Sequence, residues 1–182
     1  MPRFNSSALS KAVIAANLLF AQPALSATDF FMTAEGIKQG KFHGDSKVKG
    51  SEDQINVVGF TYEVDSPRNI TTGQASGKRQ HKPIVITKDW GASSPQFLNA
   101  LVTGEKLPQV ILEMVTVDAS GKKKLTYKIT LKNAQVTGVQ QVVTSSANGL
   151  LPTDMITLIY QSIEEEDTAA NTTYFDEVIN VP

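Results

Sequence analysis

The chain has no cysteine. Disulfide staples, thiolate nucleophiles and cysteine-ligated zinc are therefore excluded. The absence fixes no compartment, because a cysteine-free chain suits reducing and oxidising surroundings alike. Histidine is nearly as scarce, with His43 and His81 the only two. Their spacing matches no zinc motif and neither sits in a catalytic signature, so both read as ordinary surface histidines. Charge of one sign is not in excess either: 17 Lys plus Arg stand against 18 Asp plus Glu. That argues against nucleic acid as a main partner, since phosphate binding rests on a basic surface.

Devices for chemistry are also missing. Asp53, Asp89 and Asp118 fall at the ends of separate expected strands, so no general acid/base pair emerges. Glu164, Glu165, Glu166 and Asp167 are contiguous and lack the oxygen-ligand spacing of a calcium loop. They read as a solvated or inter-subunit charge patch. Gly73 to Lys78 is one residue short of a phosphate loop, and Arg79 replaces its hydroxyl residue. Ser93, Ser94, Ser145 and Ser146 have no nucleophile-elbow context. No enzyme activity, cofactor or metal is expected.

What is present is mostly strand and turn. At 182 residues the chain is long enough for one domain with a sizeable core. Residues 1–28 stand apart as a signal-like or disordered extension, leaving 29–182 as the β domain. Arg3 and Lys11 precede the apolar run 12–25, and Ser26-Ala27-Thr28 follows. This is the order of a secretory signal, with a cut after Ala27. Asn17 and Gln22 interrupt the run, which is too short for a membrane span. A non-cleaved helical arm, or an extension from a misplaced start codon, are the alternatives.

Strands are expected at 29–35, 54–64, 84–87, 109–118, 124–136, 139–144, 155–163 and 173–179. In the second, Val58, Phe60, Tyr62 and Val64 share one parity, Ile55 and Val57 take the other, and Gly59 marks a bulge or a close approach. Residues 38–53 read as a surface loop. Residues 65–82, with a basic group at Lys78, Arg79, His81 and Lys82, read as disorder or an interaction surface. In 124–136, Leu125, Tyr127, Ile129 and Leu131 take one face and Thr126, Lys128, Thr130 and Lys132 the other. The 155–163 segment is apolar on both parities, which calls for burial on both faces or a subunit contact on one.

One helix interrupts the strands, at about 94–103. Ser94 reads as its N-cap with Pro95 at the first position; Ser93 with Gln96 is the other frame. Phe97, Leu98, Leu101 and Val102 form its apolar stripe and Gly104 its stop. Trp90, at the preceding turn, reads as a packing or interface anchor rather than a ligand platform. The expected fold is mainly β: a two-sheet barrel or sandwich with one short side helix.

These segments, in this order, resemble the Hcp family, the tube-forming protein of the bacterial type VI secretion system. The resemblance rests on residues 30–38, on 82–89 with 93–98, on 127–134 and on 156–164, and covers roughly 29–166. It implies a non-enzymatic β-barrel subunit that closes six-fold rings. Those rings would stack into a tube, expelled by contraction, that carries effectors in its lumen. Implied partners are other copies of the chain and the sheath, spike and effector proteins, with no membrane in the mature form. Ring contacts are then expected at Lys38, Phe42, Trp90, Met155, Ile159, Glu164, Glu165 and Glu166. The chain departs from the family pattern after Gln161, where the acidic run replaces an aromatic continuation, and in its extension. The family is loaded from the cytoplasm, whereas a working signal would send the subunit to the periplasm. An exported β-rich binding or adhesion module is the alternative function.

Overall fold

Alternating apolar residues dictate a strand with one buried face, and the opening segment obeys that rule. The computed structural model describes residues 27–117, 123–147 and 149–178. The signal-like run, Asp118 and the 119–122 hairpin loop lie outside them. Strand β1 (Ala27–Gly36) turns Met32 and Ala34 into the core. Phe31 is buried on the other face, under Lys123, whose ammonium sits 5.2 Å from the ring centroid. A two-residue strand, β2 (Gly40–Lys41), folds back on β1.

Residues 38–53 were expected to be a surface loop. Phe42 instead turns into the core, and the residues after it pack on the outer face of the sheet and bury Ser46 and Ser51. Lys123 donates to Ser51 Oγ at 2.5 Å and Gln54 Nε2 to Glu113 at 3.0 Å. Gly44 permits this close packing, since a Cβ there would lie 2.1 Å from the Gln54 carbonyl.

Strand β3 (Ile55–Thr61) confirms the bulge expected at Gly59. Val57 pairs with Lys88 but Gly59 with Thr87, so Val58 is the extra residue. The bulge reverses the parity. Ile55 and Val57 therefore face the core together with Phe60 and Tyr62, while Val58 points out. The expected 54–64 strand thus divides, with β4 (Val64–Asp65) separate.

The 65–82 segment is ordered. Strand β4 pairs with β5 (Gln80–His81), and an Arg68–Ala75 bridge extends the ribbon. The result is a two-stranded arm. Strand β6 (Ile84–Asp89) then returns to the main sheet.

Helix α1 (Ser93–Thr103) ends as expected at Gly104, which adopts φ 61°. Its start differs. Ala92 holds the N-cap position with no side-chain bond of its own, and the Ala92 N–H is capped by Asp45 Oδ2 at 3.0 Å. Ser94 serves a buried ion pair instead, and Gln96 Oε1 accepts from the His43 N–H. The buried face is also rotated, to Ser93, Ser94, Phe97 and Ala100. Leu101 is partly buried and Val102 is 84% exposed.

Strands β7 (Lys106–Val117) and β8 (Lys123–Ser146) form the expected hairpin. Strand β8 absorbs the separate 139–144 strand, because Val136 to Gly138 is a bulge rather than a break. Strand β9 (Gly149–Ile159) runs through Pro152, which pairs opposite Val143. The expected 155–163 strand is two strands. A break at Tyr160 and Gln161 precedes β10 (Ser162–Asp167), which contains the acidic run rather than ending at it. The edge strand β11 (Thr172–Glu177) closes the order.

The strands make a nine-stranded sheet and the two-stranded arm. The main sheet runs β11-β10-β8-β7-β1-β3-β6-β9, and β9 also pairs with the distal half of β8, giving a near-ring around the core. Phe42 and Phe97 meet edge to face at 5.0 Å and join the helix to that core.

Candidate functional site

The described residues contain no group of three or more His, Asp or Glu placed to hold a metal. No helix among them is long and apolar enough to cross a membrane. The surface features are a strand face, a cleft and an arm.

The expected contact residues do not converge on one patch. Strand alternation turns Ile156 and Leu158 inward and leaves Met155 and Ile159 partly exposed on the outer face of β9. Trp90 is 44% exposed near the same strand, its Nε1–H donating to the Thr153 carbonyl at 3.0 Å. Lys38 is exposed in the β1–β2 turn, where its N–H donates to buried Glu105 at 2.5 Å. Phe42 is buried inside the subunit and offers no face to another copy.

The acidic run is split by the same alternation. Glu164 pairs across from Thr130 and Glu166 from Lys128 on the outer face. Glu165 lies opposite buried Ile129 and accepts from the Tyr127 hydroxyl at 2.5 Å. That bond, then burial, pushes the Tyr127 pKa up to about 12. Strand alternation thus divides the run between the two faces of β10.

Glu165 lines a cleft of about 690 Å³. Strands β1 and β3 are in register only at Phe31–Asn56 and Met32–Ile55. Beyond those pairs they part. Phe30, Met114 and Tyr127 are successive cross-strand partners that line the opening together with Phe60 and Tyr62. Glu165 is the single charged group among the described residues that line it. No sequence signal marked this cleft, since it depends on where two strands stop pairing.

The arm is fastened at its root. Asp176 of β11 accepts from Arg79 at 2.7 Å, from His81 Nε2 at 3.1 Å and from the Tyr174 hydroxyl at 2.8 Å. Burial raises the Asp176 pKa, but the bonds from Tyr174, Arg79 and His81 outweigh it and hold it below the usual carboxylate range. The His81 side chain is 5% exposed, against the surface position expected, and its Nδ1 faces the Tyr62 hydroxyl at 3.1 Å. His43 is exposed, as expected. Lys82 pairs with Glu63 and Asp65 across the arm.

Comparison with known proteins places these features. A family model described as "Type VI secretion system effector, Hcp" matches residues 31–166. The "Major exported protein" of Pseudomonas aeruginosa is 36% identical over 123 residues, covering 63% of this chain and 72% of that protein. A solved structure titled "Crystal structure of Hcp protein" superposes with a TM-score of 0.74 at 27% identity, covering 83% of this chain and 99% of that one. "Secreted protein Hcp3 from Pseudomonas aeruginosa" gives 0.64 at 26% identity, covering 81% and 98%.

Proposed function

Because the chain belongs to the Hcp family, non-enzymatic structural proteins of the type VI secretion system, we propose that it is the ring-forming subunit of an inner tube. Six copies close a ring, and rings stack into a hollow tube that the sheath expels and that carries effectors in its lumen. The near-ring of strands is the wall of a closed barrel in each subunit. The carrying observation is the family match over 31–166, which takes in α1 and every main-sheet strand from β3 to β9 in full.

Surface chemistry supports this reading. Strand β9 is apolar on both faces, and only one face is covered within the subunit. Met155 and Ile159 on the other face are contact residues for a neighbouring copy, with Trp90 beside them. Head-to-tail contacts between identical copies close on themselves in a ring and leave no unmatched patch.

The subunit reaches the exterior with the tube. A cut after Ala27 would leave β1 from Thr28 onward and direct the chain to the periplasm instead. Negative-stain electron microscopy of the full chain and of a chain beginning at Thr28 tests the assembly. Annular particles are expected from both. Featureless single subunits from both would contradict it.

A further inference from the structure

The core of the subunit runs out at the β1–β3 seam without being covered. Phe30 keeps the parity of Met32 and Ala34, and Met114 that of Val110 and Leu112. Tyr127 follows Ile129 and Leu131 in the same way, and Glu165 follows Ile163. All four therefore stand on the core-facing side of their strands. Yet Met114 is 36% exposed, and Phe30, Tyr127 and Glu165 are only half-buried. The cause is that β3 leaves β1 beyond the Phe31–Asn56 pair, and no strand among the described residues closes the seam. Residues 57–62 form the opposite wall. The cleft is thus a mouth of about 690 Å³ onto the inner face of the near-ring. Small-molecule sites span about 300–1,000 Å³, and the mouths of β-barrels are among their usual places.

The chemistry of this mouth is one-sided. Phe30 and Phe60 meet at 86° with centroids 6.0 Å apart, which makes a corner of two ring planes. Glu165 supplies a carboxylate, and among the described residues no Lys, Arg or His pairs with it. The Tyr127 hydroxyl donates to its Oε2 at 2.5 Å, and no donor among the described residues reaches its Oε1. A carboxylate set among apolar walls favours an incoming cation, and aromatic rings attract the same charge.

We propose that this mouth binds a small organic cation, with an ammonium group at Glu165 and an apolar body among Phe30, Phe60 and Met114. Charge complementarity selects that occupant over the others. A neutral apolar molecule would cover Glu165 and leave its charge with neither water nor a counter-charge. An anion would meet the carboxylate directly. A bare metal ion needs several oxygen ligands, and the mouth offers one carboxylate. The Tyr127 bond holds the carboxylate in place before a ligand arrives, which lowers the ordering cost of binding. The site lies within a single subunit, so it goes beyond the ring reading and does not depend on it.

The methionines allow a local test. Met114 lines the mouth, Met32 is in the core and Met155 is on the outer face. The full-length chain is titrated at neutral pH with phenethylammonium chloride and, separately, with phenethyl alcohol, the neutral analogue. The readout is the methionine methyl NMR resonances. The ammonium should shift the Met114 methyl saturably and leave Met155 in place. The alcohol should bind about tenfold more weakly. Glu165→Gln keeps an acceptor for Tyr127 and should weaken the ammonium about tenfold, to the level of the alcohol. Glu166→Gln removes the neighbouring carboxylate on the outer face and should leave binding unchanged. If Glu165→Gln does not fold, the ratio of ammonium to alcohol affinity in the unaltered chain decides alone. No saturable Met114 shift, equal affinity for ammonium and alcohol, or equal loss in the two variants would overturn the site. None of these outcomes touches the ring reading, which rests on the assembled mass.

Discussion

Lys88 on β6 and Asp154 on β9 are cross-strand partners that also form an ion pair, Nζ to Oδ2 at 2.8 Å, with side chains 1% and 0% exposed. Ser94 donates to the same carboxylate and Gln141 Nε2 donates to its other oxygen at 2.9 Å. The pair therefore ties the helix start to both halves of the near-ring. Burial raises the Asp154 pKa, but bonds from Lys88, Ser94 and Gln141, with the Lys88 charge, outweigh it and leave it below the ordinary value.

Removing one partner strands the other charge in the core. Lys88→Ala or Asp154→Ala should each cost about 3–5 kcal/mol, read by urea denaturation. A Lys88→Met, Asp154→Leu double variant should recover much of that loss, because two apolar side chains leave no uncompensated charge. Equal losses in single and double variants would contradict this account.

The rotated helix face makes a graded prediction. Phe97 is fully buried against Phe42, so Phe97→Ala should cost about 3–5 kcal/mol. Val102→Ala should change stability by no more than about 0.5 kcal/mol. The expected stripe would have made these two alike, so thermal melts of both separate the two pictures.

The sequence was legible where a local rule decides. The Gly59 bulge, the Gly104 stop and the hairpin before Leu125 follow from one residue or one alternation. It was illegible where a distant residue intervenes. Asp45 caps the helix from 47 residues away, which frees Ser94 for the Asp154 site. Asp176 reaches back 95 residues to bury His81. The acidic run was expected to end a strand, whereas it lies within β10, where pairing with β8 and β11 divides its charges between faces.

The arm clamp depends on pH through Asp176. Its pKa is depressed in the folded state, so its contribution is present above the ordinary carboxylate value and lost as pH falls through the folded one. Hydrogen exchange in residues 64–82 should therefore accelerate below about pH 4 relative to the core, after correction for intrinsic rates. Asp176→Asn should produce the same exposure at neutral pH. Unchanged protection in that variant would remove Asp176 as the clamp.

Tyr127 offers an alkaline counterpart. Its raised pKa means its contribution is complete below about pH 10 and lost as pH rises through about 12. The wild-type minus Tyr127→Phe difference in phenolate absorbance isolates this group and should show its step still incomplete at pH 11. Glu165→Gln should bring that step back towards the ordinary value, since the bond to Glu165 is the largest cause.

Charge on the outer face of β10 tests the expected acidic contact. Reversing Glu164 and Glu166 to Lys touches neither the core nor the Tyr127 bond. Such a variant should keep its melting profile and shift its assembly. An unchanged assembled fraction would take these two residues out of the ring contact.

The proposed ring requires this cysteine-free β subunit to join six copies of itself. Native mass spectrometry of the full chain, over a range of concentration and salt, reads that number directly. The predicted result is a dominant species with the mass of six chains. A single-chain mass under every condition would contradict it.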